Sequence, residues 1–458
     1  MKMRKLLGFI VVLAMVAAAC SDSSTDTTQA PETPTTAAAP TTTAAGSTDT
    51  VAPEPETPAG PLAEYGEDPS AADPDLVAKA LGPVTPSDEA SWNIVLASIA
   101  RANQDLDQAT IDKAMECWSN QECDTGTGGD LIMGWADGGG DSVNVWRGVS
   151  HMEAILQALT YPEIGTIVST AANFDQDPAV HVNGISFLIQ RGASFIAGYP
   201  DFGAALSGVI AEAEAAGIPY VSFSAGYVGL PGTEGALTPG VDYTAVVGED
   251  LCALGQSFAQ VLNDGVGSGS VGMLGGTPGN ALTLGWQQCT VSDLASGVEL
   301  VNPPPDANTT TGDTFWVNTF ALDAVRALLT TNPDIGGWVY EYSDGLYTAL
   351  QAYDELNIPV ENLTVALRTD EQTLFCDWVD RNEPTYNIWY SAGGNFQSRT
   401  AVTAAMLKLQ GAEVPGQIVV PHVMRQVTAA DCNPDRVNEV VSGTSLAPDS
   451  VLQRMFGG

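Results

Sequence analysis

From about residue 130 onward, short apolar runs alternate with longer segments of helical spacing, and this rhythm limits the chain to few folds. DLIMGWA reads as a strand, and VNVWRGVSHMEAILQAL repeats apolar residues at the spacing of a helix. IGTIVST, ASFIAGY and IPYVSFS read as further strands, with AVHVNGISFLIQRG and FGAALSGVIAEAEAAG as the helices between them. The second half repeats the pattern through SVGMLGG, GVELV, GGWVYEY, LTVALRT and YNIWYS, each followed or preceded by a helical segment. Strands separated by helices predict parallel sheets with helices on both faces. The length, roughly 370 residues after the N-terminal region, exceeds one typical core and predicts two lobes. The expected fold class is therefore α/β, with two doubly wound parallel-sheet lobes. In such sheets ligands bind beyond the carboxyl ends of the strands, so side chains just after each strand are the ones to examine.

The N-terminus carries a different message. MKMRK is followed by the apolar LLGFIVVLAMVAAA, 14 residues long. That is short of the ~20 residues needed to span a bilayer, and reads as a secretion signal over residues 1–19. Ala17-Ala18-Ala19-Cys20 resembles a bacterial lipobox, which implies cleavage before Cys20 and a lipid on its sulfur. Residues 20–86 are rich in Thr, Pro and Ala, and no Lys or Arg lies between Lys5 and Lys79. This composition predicts a disordered tether. Residues 87–129 read as a helical extension that ends in the small cysteine loop CWSNQEC. It either packs on the first lobe or begins the tether.

A net charge of −39, from 16 Lys plus Arg against 55 Asp plus Glu, excludes nucleic acid as a partner. Six cysteines remain after Cys20, an even number that suggests disulfides in an exported chain. Fifteen connectivities are open; pairing in chain order gives Cys117–Cys123, Cys252–Cys289 and Cys376–Cys432. The three histidines are scattered, and neither a metal site nor a cofactor is expected.

Several segments, in order, resemble the ribose-type (type 1) periplasmic substrate-binding proteins of bacterial ABC importers. They are NGISFLIQRGASFIAGYPDFGAALSGVIAEAEAAGIPYVSFS, YTAVVGEDLCALGQSFAQVL, VGMLGGTPGNA, TTNPDIGGWVYEYSDGLYTALQAY and GAEVPGQIVVP. The resemblance spans about residues 130–428. It implies two lobes joined by a three-strand hinge, with lobe 1 at 130–247 and 392–418 and lobe 2 at 248–391 and 419–458. Cys252, Cys289, Cys376 and Cys432 would then all lie on the lobe 2 side, so no bridge would fasten the hinge.

The stretch ADGGGDSVNVWRG, after the first strand, carries the first candidate ligand residues: Asp137, Asn144, Trp146 and Arg147. An indole covers the apolar face of a sugar, while Asn, Asp and Arg bond its hydroxyl rim. Trp146 also shares helical spacing with Val149, Met152 and Ile155, so spacing alone leaves core and ligand equally open; the resemblance favours ligand. Further candidates are Asp201, Ser224, Trp286, Tyr342, Asp344, Arg368 and Tyr390, with Glu249-Asp250 at the crossover. Asp201 and the crossover acids can equally be helix caps, and Arg368 can equally pair with Asp370 or Glu371. The acidic and arginine residues that usually bind sugar in this family are replaced at several of these positions. The replacements favour aromatic walls and two arginines, and so either a sugar or a small acid as ligand.

The resemblance implies a non-enzymatic solute-binding lipoprotein, held at the cell membrane by its lipid, that closes on a sugar or sugar derivative and delivers it to an ABC permease. A lipoprotein that signals ligand to a membrane receptor is the alternative reading. An exported hydrolase is a weaker one, because no activated nucleophile or acid–base pair is recognisable.

Overall fold

The computed structural model describes residues 61–137, 144–170, 177–306, 308–381, 386–392, 394–436 and 442–456. The signal sequence, Cys20 and the tether up to residue 60 lie outside these residues, as does the GGGDSV segment at 138–143.

Helices α1 (Pro74–Leu81), α2 (Glu89–Ala100) and α3 (Gln108–Ser119) lead to β1 (Glu122–Asp124). Then follow β2 (Leu131–Asp137), α4 (Val145–Ala158), β3 (Ile164–Ser169), α5 (Pro178–Arg191), β4 (Phe195–Tyr199), α6 (Ser207–Ala215), β5 (Tyr220–Ser222) and β6 (Ala245–Gly248). The second lobe runs through α7 (Leu251–Val266), β7 (Gly269–Met273), α8 (Ala281–Asp293), β8 (Val298–Leu300), α9 (Asn318–Thr331), β9 (Ile335–Tyr340), α10 (Ser343–Ala349), α11 (Gln351–Leu356), β10 (Thr364–Leu367), α12 (Gln372–Asp380) and β11 (Asn387–Tyr390). The chain then crosses back through α13 (Gln397–Leu409) and β12 (Gln417–Val419), crosses again to β13 (Arg425–Gln426), and ends in α14 (Asp449–Phe456).

Two sheets result. The first has the order β1-β3-β2-β4-β5-β6-β12, and the second β13-β11-β10-β9-β7-β8. All pairings are parallel except those of the edge strands β1 and β13. β4, β5, β6 and β10 are buried along their whole length, as strands covered by helices on both faces must be. The expected α/β fold with two doubly wound lobes is what forms. In the first sheet the order reverses between β2 and β4, and in the second between β7 and β9. Those two switch points are where a ligand crevice opens in such sheets.

The chain passes between the sheets after β6, after β11 and after β12. The three disulfides pair in chain order, Cys117–Cys123, Cys252–Cys289 and Cys376–Cys432. None of them joins the two sheets.

Two expectations need correction. Residues 61–86 are not all tether. Asp73 caps α1, with Pro74 at its first turn, and Leu76, Ala80 and Leu81 are buried on one face. Composition averaged over a long Pro- and Thr-rich region hid this short amphipathic helix. The extension that follows breaks into α2 and α3 and packs on lobe 1. Gln157 of α4 donates to the Ser98 carbonyl (3.3 Å), Tyr161 donates to Glu67 (2.9 Å), and Arg101 pairs with Glu67 (2.8 Å). This cover explains why α4 is buried from Trp146 to Ala158, polar residues included.

The C-terminal tail is the second correction, because it does not stay on lobe 2. Ser442 Oγ and the Thr444 N–H donate to Asp370 of lobe 2 (2.6 and 2.8 Å). Immediately after, Ser445 Oγ and the N–H groups of Leu446 and Ala447 donate to Glu153 Oε1 of α4 (2.6, 2.6 and 2.8 Å). Arg399 of α13 holds the other oxygen of Glu153. The tail is thus a fourth connection between the lobes, and α14 ends against α3, where Arg454 pairs with Asp112. Removing the Glu153 side chain strands the buried Arg399 charge and frees three tail donors. Breaking such a pair costs about 3–5 kcal/mol. Glu153→Ala is expected to lower the urea midpoint by a matching amount and to expose the tail to limited proteolysis; an unchanged midpoint would show that the tail is not anchored there.

Candidate functional site

The site is built at the two switch points. β2 ends in Asp137, which lies beside Tyr199 at the end of β4. Asn144 caps α4 and presents Arg147 one turn in. Arg147 then turns back over the sheet edge, donating to Asp137 through Nη1 and to Asp201 through both terminal nitrogens, one of these bonds at 3.0 Å and the other at 2.5 Å. Burial opposes its charge, but Asp137 and Asp201 outweigh burial and raise its pKa.

On the facing lobe, β9 and β10 end side by side, so Tyr340 pairs with Leu367 and Glu341 neighbours Arg368. Arg368 binds both oxygens of Glu249 at the hinge (3.1 and 2.8 Å). Burial again opposes the ionised forms, and the pair overcomes it: Arg368 is raised and Glu249 lowered. Arg368 therefore pairs with Glu249 rather than with Asp370 or Glu371.

Between these walls lies a small, nearly closed cavity lined by Asn144, Trp146, Arg147, Tyr199, Ser224, Leu282, Trp316, Glu341, Tyr342, Arg368 and Thr369. The lobes touch across it. Asn280 Nδ2 donates to the Asp201 carbonyl (2.8 Å), Tyr199 Oη donates to Asn280 (3.3 Å), and Trp316 meets Tyr199 edge-on at 6.0 Å. The guanidinium of Arg368 lies 5.9 Å from the Trp146 ring, and that of Arg147 5.2 Å from Trp316. This is a closed arrangement.

Of the residues expected from sequence, Asn144, Trp146, Arg147, Ser224, Tyr342 and Arg368 line the cavity. Trp146 faces the cavity and stacks on Phe223 at 6.0 Å. Asp137 and Asp201 sit behind Arg147 and hold it. Asp344 lies behind Tyr342, binding Asn318 and Thr373 (2.7 and 3.1 Å). Two expectations fail. Trp286 is in the lobe 2 core against Phe258, because α8 turns that face inward. Tyr390 points to a separate cavity near the tail, where its hydroxyl binds Asp431 (2.7 Å). The two arginines are not a free clamp for an acid either, since three carboxylates already face them.

Tyr199, Leu282, Trp316, Glu341 and Thr369 were missed. Tyr199 and Glu341 obey the rule of looking just after a strand. Trp316 had no periodic signal: it follows Phe315 in a loop where both residues have positive φ, 53° and 54°. Its ring fits over Gly276, where a Cβ would lie 2.0 Å from it. Ser224 and Ala225 at the lobe 1 wall are also left-handed, with φ of 59° and 51°.

Two polar–aromatic walls closing on one small cavity define a two-lobed solute-binding protein. The chain matches the periplasmic binding protein domain over residues 152–413, more than half its length, and belongs to that family. Solved structures of similar fold include an ABC transporter solute-binding protein from Mycobacterium smegmatis with bound glycerol (18% identity, TM-score 0.53, 66% of this chain and 95% of that one). Another is from Actinobacillus succinogenes 130z with bound D-allose (18%, 0.53, 65% and 97%). A third is from Agrobacterium vitis with bound D-fucose (16%, 0.54, 68% and 99%). No curated protein matches the chain. The family and these neighbours are solute-binding proteins, not enzymes, and the family is extracytoplasmic. Among the described residues no helix is long and apolar enough to cross a membrane.

Two buried carboxyls at the ends of β9 and β10 titrate near neutrality. Burial raises Glu341 from 4.5 to about 7 against the pull of Thr283 and Arg368. Burial and then Asp370 raise Glu371 to about 7 as well. The folded chain therefore keeps protons that the unfolded chain releases above its ordinary 4.5. Stability from these groups is full below that value and falls as the pH rises to about 7. Glu371→Gln is expected to flatten the fall in melting temperature between pH 5 and pH 7.5; an equally steep fall in the variant would show that Glu371 titrates elsewhere.

Proposed function

We propose that the protein captures a sugar or sugar derivative between its lobes and delivers it to an ABC permease in the membrane. The observation that carries this reading is the cleft itself. Trp146, Tyr199, Trp316 and Tyr342 offer aromatic faces, and Arg147 and Arg368 offer guanidinium groups fixed by buried carboxylates. A sugar needs both, a flat apolar surface for its C–H face and rigid donors for its rim. In this closed arrangement the two walls leave little free space between them, so the lobes would part to admit a ligand and re-form around it. The neighbours' ligands, glycerol, D-allose and D-fucose, are small and rich in hydroxyls.

Closure would couple binding to delivery. The closed form is favoured only by as much as the ligand binds it better than the open one. The residues that meet across the cleft, Asn280 with Asp201 and Trp316 with Tyr199, then report ligand occupancy as a fixed lobe geometry.

Thermal shift of the purified chain against neutral sugars, polyols, amino sugars and sugar acids tests the reading. A ligand that binds only the folded state raises the melting temperature by mass action. At least one sugar is expected to do so, and Trp146→Ala is expected to weaken its binding by about 1 kcal/mol or more. A full panel without a shift would sink the sugar reading.

The lipid anchor is part of the proposal. The signal sequence ends in small residues before Cys20, and acyl attachment there would hold the domain at the membrane through the following Thr/Pro-rich segment. Cells fed an alkyne fatty acid should label the protein, and Cys20→Ser should abolish the label; a variant that still labels would place the lipid elsewhere or nowhere.

A further inference from the structure

Among the acceptors that line the cleft, one unused by the protein is a carboxylate oxygen. Glu341 follows β9 at the lobe 2 switch point, lines the cavity, and is 2% exposed. Its Oε1 accepts from Thr283 Oγ1 of α8. Its Oε2 is buried and has no hydrogen-bond partner. A buried carboxylate oxygen without a donor is costly. Proteins retain such groups where a ligand supplies what is missing.

The surroundings show what the missing group is. Trp286 and Trp316 approach the carboxyl with their indoles and favour its ionised form weakly. Arg368 is the charged side chain that faces it; its Nη2 binds Glu249, which balances its charge, and its Nε–H is buried without an acceptor. Tyr199 across the cleft and Tyr340 on the same strand are the titratable groups nearby, and both are held neutral, since burial raises them far from ordinary pH. Arg147, the other cation of the cleft, faces Asp137 and Asp201. Four carboxylates thus stand against two guanidiniums around one cavity.

Resting on the sugar reading above, we propose that Glu341 selects the solute: its Oε2 takes a hydrogen bond from a donor on the ligand, prefers an ammonium to a hydroxyl there, and turns carboxylates away. The ligand class is then a polyhydroxylated amine, such as an amino sugar, with neutral sugars binding more weakly and sugar acids excluded. A carboxylate ligand would meet Glu341 with like charge, and the charge of both guanidiniums is already balanced by Asp137, Asp201 and Glu249. An ammonium would fill the empty acceptor and balance the excess. Because Glu341 gains its charge near neutrality, affinity for the amine must rise with pH while the amine itself stays protonated.

The test uses matched probes: D-galactose, D-galactosamine and D-galacturonate, with the corresponding glucose and mannose series. Calorimetric titration of the wild type at pH 5.5 and pH 7.5 is expected to show the amine of one series binding best and the acid not binding. Affinity for that amine should rise about tenfold between the two pH values, as expected for a carboxylate ionising within that range. Glu341→Gln, which keeps the shape, is expected to remove both the pH dependence and the preference for amine. The wild-type pH profile gives the same reading even if the variant folds poorly. Neutral sugars that bind as tightly as their amines, with no change from pH 5.5 to 7.5, would overturn the role of Glu341 and leave the sugar reading intact. No binding by any member of any series would overturn the sugar reading itself, and this inference with it.

Discussion

The buried cluster of Arg147, Asp137 and Asp201 fixes the lobe 1 wall, and most of the site depends on it. Each member comes from a different place: the end of β2, the first turn of α4, and the loop after β4. Only a parallel sheet whose order reverses between β2 and β4 brings these three together. Ions removed from water cost several kcal/mol each, and a buried pair repays this only with good geometry and satisfied lone pairs. An apolar trio would pack there at less risk. What the ions supply is a guanidinium with fixed orientation at the cleft wall. Arg147 in turn sets Tyr199 and Trp316, since its guanidinium lies 5.0 and 5.2 Å from their rings.

The second constraint is on motion. Three strand-end crossings form a hinge, which allows the lobes to part. The tail adds a fourth link, from Asp370 to Glu153. Both anchors are fully buried carboxylates, so neither lets go cheaply. Opening must therefore be absorbed between residues 444 and 445, or limited by them. The disulfides do not add to this restraint. Cys252–Cys289 ties α7 to α8, and Cys376–Cys432 ties α12 to the start of the tail, all on the lobe 2 side. The disulfides stiffen the chain within the lobes, and beyond the chain crossings themselves the lobes are held by noncovalent contacts.

Much of this was legible in the sequence, for a physical reason. Parallel strands buried on both faces are continuous apolar runs, and helices over them show a 3.6-residue period, so alternation announces the fold. The rule that ligands sit beyond strand ends found Asn144, Trp146, Arg147, Ser224, Tyr342 and Arg368. It failed where local pattern says nothing about facing. Trp286 lies on a helix whose apolar face turns inward, and Tyr390 on an outer strand beside β13. It was silent on Trp316, placed by a left-handed backbone and by the room that Gly276 leaves. The short α1 and the tail escaped because each contributes only a few buried residues, Leu76, Ala80 and Leu81 in one and Val451 and Leu452 in the other. The partner of an arginine is likewise invisible to sequence. Glu249 and Arg368 stand 119 positions apart and meet only because β6 leads into the hinge beside β10.

Charge ties the cleft to the rest of the molecule. The chain carries −39 overall, so its surface repels anions and attracts cations over about a Debye length. A protein built to collect acids would need a positive cleft to reverse that field at close range. Here the arginines are answered from within, by Asp137 and Asp201 on one wall and Glu249 on the other. Their role is thereby changed from counter-ion to oriented donor: each presents its remaining N–H groups without presenting net charge. A neutral polyol meets no electrostatic cost in either place, and a cation is favoured in both. On the proposed reading the surface field and the cleft would discriminate in the same direction, against solutes of negative charge.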